Sequence, residues 1–457
     1  MFSIRSHARW AVPLALTLTA LGTAVPVATA NATGRAAPAA PVREDFDGDG
    51  YADLAVGSPG ATVAGQAKAG AVTVMYGGPH GLSTARRTVV TRATTGVPGG
   101  PAKGQGFGAQ LAKGDLDGDG YADLVVSDTD ATAGAVVLWG GPHGLSGGTA
   151  LPASDTQTGD FDGDGRLDLA LFRTGNAVGD DPVGTTVRIW TGPISRQGTP
   201  AAVAALPDLA EDVRDGVAGD VNGDGRTDLA VTAYCGDGND CSYLYLSGPS
   251  GLTRVADTPG GSAVALGDFD GDGYDDLVSG SPFGERIQLA YGSARGIGGP
   301  STWRTYSQDT AGVPGATEEG DLFGWSLAAG DITGDGVDDL VVGVPGENGS
   351  QGMVDVLRGS RSGLTGAGAQ GFTQNTKGVP GTAEANDSFG ATVRLLDING
   401  NGYADLAAGA PGEDAGNGAV WELRGRPTGL VTDAALVFGP RAVGAPYAKA
   451  RFGDALR

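Results

Sequence analysis

From residue 54 onward the chain repeats one alternation of apolar and polar stretches. Seven mostly apolar runs recur, LAVGSP, LVVSDT, LALFRT, LAVTAY, LVSGSP, LVVGVP and LAAGAP. They are short, rich in Val and Leu, and bounded by Gly and Pro, so they read as strands covered on both faces. Downstream, GAVTVMYGG, GAVVLWGG, TTVRIWTG and GAVWELRG alternate with period two, the mark of another strand. Turns such as GPHGL, GPSGL, GSRSGL and RPTGL then lead into a less regular strand. Six of the seven apolar runs are also preceded by a strand, clearest as FGAQLAKG, FGWSLAAG and FGATVRLL and weaker as SAVALG at 262–267.

The unit is therefore four short antiparallel strands recurring every 45 to 70 residues. Solenoids repeat sheets too, but a four-stranded unit of this length is the blade of a propeller, whose radial closure leaves few exposed edges. The pattern predicts an all-β, seven-bladed β-propeller of four-stranded antiparallel blades. Its first blade, at about 42–91, lacks a first strand. RFGDALR, Arg451 to Arg457, has the sequence of that strand and is expected to pair into blade one and close the ring. Closure over so long a loop costs entropy that grows only slowly with length. The competing reading makes the tail a remnant of an eighth unit.

Between the first and second strand of every unit lies D-x-[DNT]-x-[DN]-G-x-x-D. The seven copies are Asp45, Asp47, Asp49 and Asp53; Asp115, Asp117, Asp119 and Asp123; Asp160, Asp162, Asp164 and Asp168; Asp220, Asn222, Asp224 and Asp228; Asp268, Asp270, Asp272 and Asp276; Asp331, Thr333, Asp335 and Asp339; and Asp397, Asn399, Asn401 and Asp405. Oxygen side chains at positions one, three and five converge in a tight loop. The Gly at six permits a left-handed bend, and the ninth carboxylate completes a set suited to a hard cation. Calcium, with its six to eight oxygen ligands, fits better than magnesium, and no His or Cys invites a transition metal. An EF-hand would need Glu at position twelve, which here is Val, Leu, Ser or Ala. A single Asp-Gly turn would need no ion, but seven in register point to up to seven Ca2+ ions. The loop at Asp397, with two carboxylates, is expected to bind most weakly, and Thr333 sets the sixth loop apart.

Composition adds to this picture. With 83 Gly and 25 Pro in 457 residues the chain is rich in turns, while 40% hydrophobic content supports a core. Of the 53 acidic residues, 24 belong to the loops, so much of the formal charge of −23 is ligand charge. Arg5 and Arg9, the apolar run Ala11 to Val25, and Ala28-Thr29-Ala30 predict a signal peptide over 1–30 rather than a membrane anchor, followed by an Ala/Pro-rich leader over 31–42. Its removal would bring the charge to −25, and seven Ca2+ would then raise it to about −11. In a secreted protein Cys235 and Cys241 are expected to form a disulfide, two unpaired thiols being the alternative. The acidic balance argues against a nucleic-acid partner.

FG in the first strand, the aspartate loop, and GSP, GVP or GAP closing the second strand together resemble FG-GAP repeats, as in the seven-bladed propeller of integrin α subunits. The likeness spans about 42–457. Units three to five lack a clean FG, and units three and four also lack the GAP-like end. The resemblance implies an extracellular, calcium-stabilised propeller that binds other macromolecules, with calcium holding the blades rather than catalysing. Nothing resembles an integrin stalk, transmembrane helix or inserted adhesion domain.

Antiparallel topology places the aspartate loops on one face and the variable loops on the other, where binding usually sits. Asp180, Asp181, Asp237, Asp240, Phe283, Glu285, Glu347, Glu413 and Asp414 are the candidate contacts there. The expected partner is an extracellular protein or glycan, met by a monomer without a membrane span in its mature chain. No G-x-S-x-G, H-E-x-x-H, phosphate-binding loop or catalytic Cys occurs. His80 and His143 share the turn GGPHGL, which sister units build without His. The alternative is a secreted polysaccharide hydrolase or lyase with carboxylates on the variable face; a structural surface component is a third class.

Overall fold

A computed structural model describes residues 44–129, 133–173, 185–206, 212–236 and 238–457, with the backbone alone at Thr174. The expected signal peptide and leader, and Asp180, Asp181 and Asp237, lie outside the described residues.

The described strands form seven four-stranded antiparallel sheets. Six are built from consecutive strands. Blade two runs Gln110–Gly114, Asp123–Ser127, Ala135–Trp139 and Ser146–Leu151. Blade one has the strands Leu54–Ser58, Ala71–Met75 and Arg87–Val90, and takes its inner strand from Ala455–Leu456. The pairing Val56 to Leu456 and Gly57 to Ala455 closes the ring as the sequence predicts. Inner strands follow one another around the ring, with Ala455–Leu456 packed between Thr392–Leu396 and Gln110–Gly114. They enclose a central cavity of about 310 Å³. Across it the Arg457 guanidinium donates to Leu111 O of blade two and to Asp215 Oδ1 of blade four, at 2.8 and 2.9 Å.

Four of the seven blade junctions share one contact that explains the FG and GAP elements. Phe107, Phe323, Phe389 and Phe452 are fully buried between neighbouring blades. Each is worth about 1.5–3 kcal/mol of burial. The Gly after each is left-handed, with φ of 91, 90, 84 and 87° at Gly108, Gly324, Gly390 and Gly453. Its carbonyl abuts the GSP, GVP or GAP glycine of the preceding blade. A Cβ at Gly57, Gly280, Gly343 or Gly409 would lie 2.0 to 2.3 Å from that oxygen, so only glycine fits. Blades one and two are sealed by Gly57 and Gly108, blades seven and one by Gly409 and Gly453.

The start of the described chain is pinned as well. Glu44 pairs with the buried Lys113 of blade two at 2.6 Å and with Arg394 of blade seven at 2.8 Å. Burial alone would raise the Glu44 carboxyl, but the two cations outweigh it and hold it below the usual glutamate range.

Candidate metal loops and the opposite face

Each aspartate loop is shaped by its own side chains. The position-one carboxylate accepts backbone N–H bonds with both oxygens in all seven copies. In the first loop Asp45 Oδ1 accepts from Gly48 and Asp49, and Oδ2 from Gly50, at 2.6, 3.2 and 2.7 Å. The corresponding acceptor to the sixth-position Gly is Asp115, Asp160, Asp220, Asp268, Asp331 or Asp397, at 2.8 to 3.0 Å. Position five accepts from the N–H two residues on in every loop, for example Asp49 from Tyr51 at 3.2 Å and Asn401 from Tyr403 at 3.0 Å.

Position four is also Gly in every copy, a signal the sequence carries and the nine-residue pattern overlooks. In six of the seven its missing Cβ leaves room for the position-seven side chain of the next loop, Gly118 being the one that faces open space. A Cβ at Gly48 would lie 2.5 Å from the Tyr121 ring, and one at Gly334 2.6 Å from Tyr403. Tyr51 covers Gly400 in the same way, carrying the contact over the ring closure.

The ninth aspartate is the most buried member. Asp53 takes Phe46 N on Oδ2 at 2.8 Å and Gly77 N on Oδ1 at 2.9 Å, tying the loop to the end of the third strand. Asp123, Asp168, Asp228 and Asp276 repeat both bonds. In the last two loops a side chain replaces the first of them: Arg358 Nη1 on Asp339 at 3.1 Å, and Asn399 Nδ2 on Asp405 at 2.6 Å. Asn399 therefore turns inward as a donor. Burial, opposed by the backbone N–H bonds, pushes Asp53, Asp123, Asp228 and Asp405 up to about 7 and Asp276 to about 8. Asp168 and Asp339 rise to about 6 for the same reason, Arg358 also opposing it at Asp339.

Among the described residues, four loops bring three carboxylates within 4.8 Å of one another: Asp45, Asp47 and Asp53; Asp115, Asp117 and Asp123; Asp160, Asp162 and Asp164; and Asp268, Asp270 and Asp276. An oxygen-only donor set of crowded carboxylates suits a hard divalent cation. Two of these loops also meet an arginine that the loop pattern did not disclose. Arg86 reaches Asp49 and Asp47 at 2.5 and 3.2 Å, and Arg196 reaches Asp117 and Asp119 at 2.5 and 2.6 Å.

On the opposite face Cys235 and Cys241 form a disulfide, S–S 2.02 Å. Phe283 is 79% exposed and Trp325 43%. With Tyr234, Arg214 and Asp240 they line a cavity of about 440 Å³. Asp240 pairs with Arg214 at 3.6 Å, and Asp414 is exposed. Three of the named contacts have inward duties. Glu285 accepts the N–H groups of Gly320, Leu322 and Phe323 at 3.0, 3.1 and 2.8 Å, clamping the connection into blade six. Glu347 and Glu413 accept Gln308 Nε2 and Gln374 Nε2 at 2.9 and 2.6 Å.

A propeller of seven blades, each with an aspartate loop at one end, defines the class of protein. The FG-GAP repeat family matches residues 38–75, 107–139, 260–291, 323–357 and 389–423, and an FG-GAP-like repeat matches 160–231. The chain belongs among FG-GAP repeat propellers of the integrin α-like type. It is similar to integrin alpha-PS2 of Drosophila melanogaster, 32% identical over 43% of this chain and 14% of that protein. It is also similar to integrin alpha pat-2 of Caenorhabditis briggsae, 34% identical over 47% of this chain and 19% of the relative. The matches thus span less than a fifth of these relatives. A solved Lactobacillus plantarum protein aligns over 89% of this chain and 98% of its own, at TM-score 0.47 and 13% identity, too loose a likeness to carry a functional reading. The relatives lend no support to a polysaccharide-active enzyme. Among the described residues no helix is long and apolar enough to cross a membrane.

Proposed function

We propose that the protein is a secreted, calcium-stabilised binding module, its aspartate loops holding Ca2+ and its variable face meeting an extracellular protein or glycan. The observation that carries this reading is the carboxylate cluster repeated in four loops, at positions one, three and nine in three of them and at one, three and five in the loop at Asp160. Asp45, Asp47 and Asp53 and their counterparts would be the side-chain ligands, the position-one carboxylate both ligating and fixing the loop. Calcium supplies positive charge that lets crowded, buried carboxylates stay ionised. The chain's own residues do the rest: the backbone N–H groups orient the carboxylates, and the FG and GAP glycines lock blade to blade. Phe283 and Asp414, with Asp240 in its partly exposed pair with Arg214, are the named contacts on the side of a partner, and integrin-type relatives favour a protein as that partner.

The test is thermal unfolding of purified protein in calcium and in EDTA, combined with a binding screen against matrix proteins and cell-surface glycans under both conditions. A lower Tm in EDTA and a partner whose binding weakens with it are expected. An unchanged Tm overturns the calcium reading, and a partner unaffected by substitution of Asp240 and Phe283 overturns the placement of the face.

A further inference from the structure

Three connections between blades share one length and pattern: TRATTGVPG from Thr91, SQDTAGVPG from Ser307 and TQNTKGVPG from Thr373, each reaching its FG phenylalanine sixteen residues on. Their second residues, Arg92, Gln308 and Gln374, are buried, 5%, 3% and 1% exposed. In the connection to blade two, Arg92 Nη2 lies 2.7 Å from the buried Asp128, and Gln105 Nε2 donates to the same oxygen at 3.0 Å. There the protein supplies its own cation.

In the connection to blade six the guanidinium is replaced by an amide. Gln308 Nε2 donates to Glu347 Oε2 at 2.9 Å, while Gln308 Oε1 is buried without a partner. Asp355, on the strand Met353–Arg358, is 0% exposed, and both of its carboxylate oxygens lack a partner.

Glu347 links the two groups, holding Gln308 by its hydrogen bond and acting on Asp355 by its charge. Gln308 packs on Gly315, where a Cβ would lie 2.4 Å from Nε2. Asp355 pairs across the sheet with Val342, the third residue after Asp339, as Trp421 pairs with Ala408, the third after Asp405. Trp421 reaches its own connection, donating to Pro380 O at 2.7 Å beside Gly381, the counterpart of Gly315. The same register puts Asp355 on the side of its strand that faces the connection holding Gly315. Burial, then the charge of Glu347, pushes the Asp355 carboxyl up to about 8.

We propose that Gln308, Glu347 and Asp355 form a calcium-type cation site on the face opposite the aspartate loops, where a metal ion does what the Arg92 guanidinium does beside blade two. The donors are two carboxylates and an amide oxygen, all hard, with a formal charge of two to neutralise. Blade seven keeps Gln374 and Glu413 but fills the Asp355 position with Trp421, so the full set is confined to blade six.

The test counts ions in the full chain equilibrated with calcium in metal-free buffer, for wild type, Asp355→Asn and Gln308→Arg. One fewer Ca2+ per chain is expected in each variant. In Gln308→Arg the Tm should also fall less on EDTA treatment than in wild type. The aspartate loops are untouched, so this difference of one ion is readable whether or not those loops bind. Equal counts in all three proteins overturn the proposal and leave a shared proton or water at the site. Should Asp355→Asn not fold, wild-type crystals soaked in terbium decide: an anomalous peak among the three side chains supports the site, and its absence overturns it.

Discussion

Gly409 meets the carbonyl of Gly453 so closely that a Cβ on the former would sit 2.3 Å from the oxygen. The last blade is thus sealed to the first by the contact that joins blades one and two. Phe452 beside it is fully buried and packs edge-on to Phe438, ring centroids 5.9 Å apart. Phe452→Ala should cost about 3–5 kcal/mol. Removing 452–457 should lower the Tm far more than trimming 31–41, as thermal unfolding would show. Equal effects would mean the closure does not hold the ring.

Removing calcium should destabilise the protein by ligand linkage. Each site contributes about 2.7 kcal/mol when free calcium is a hundredfold above its Kd. Calorimetric scans against calcium concentration should show a rising Tm. Substituting Asp270 by Asn, in a loop that gathers three carboxylates, should flatten that rise more than the same change at Asp335.

In EDTA the pH dependence follows from the ninth aspartates. Their folded values of about 6 to 8 exceed the ordinary 3.8, so the folded state holds more protons between those limits. Their contribution to stability is then fully present below about pH 4 and is lost as pH rises through 6 to 8. With calcium bound the carboxylates are ionised in the fold, and the loss over that range should disappear. Denaturant titrations at pH 5 and 8, with and without calcium, measure both slopes.

Glu285→Gln leaves an amide in place of a carboxylate that accepts three N–H groups. Charge-assisted bonds of this kind are worth about 1.5–3 kcal/mol. The variant should lose up to that much stability, with faster amide exchange at Gly320, Leu322 and Phe323. Exchange unchanged there would show that the clamp is dispensable.

Period-two runs, Gly and Pro breaks and seven aspartate loops determined the blade, the blade number and the closing role of RFGDALR. Local hydrogen bonds explain that reach, because Asp45 shapes its loop through residues no more than five positions away. Tertiary structure alone decided which acidic residues are free. Glu285 and Glu347 look like open loop charges in sequence, yet they bind groups 35 to 39 residues off. Arg86 and Arg196 reach the first two loops from 37 and 79 residues away, and no spacing rule announces them. The FG and GAP glycines were readable as a motif, but their shared purpose, two backbones touching across a blade junction, exists only once the ring has closed.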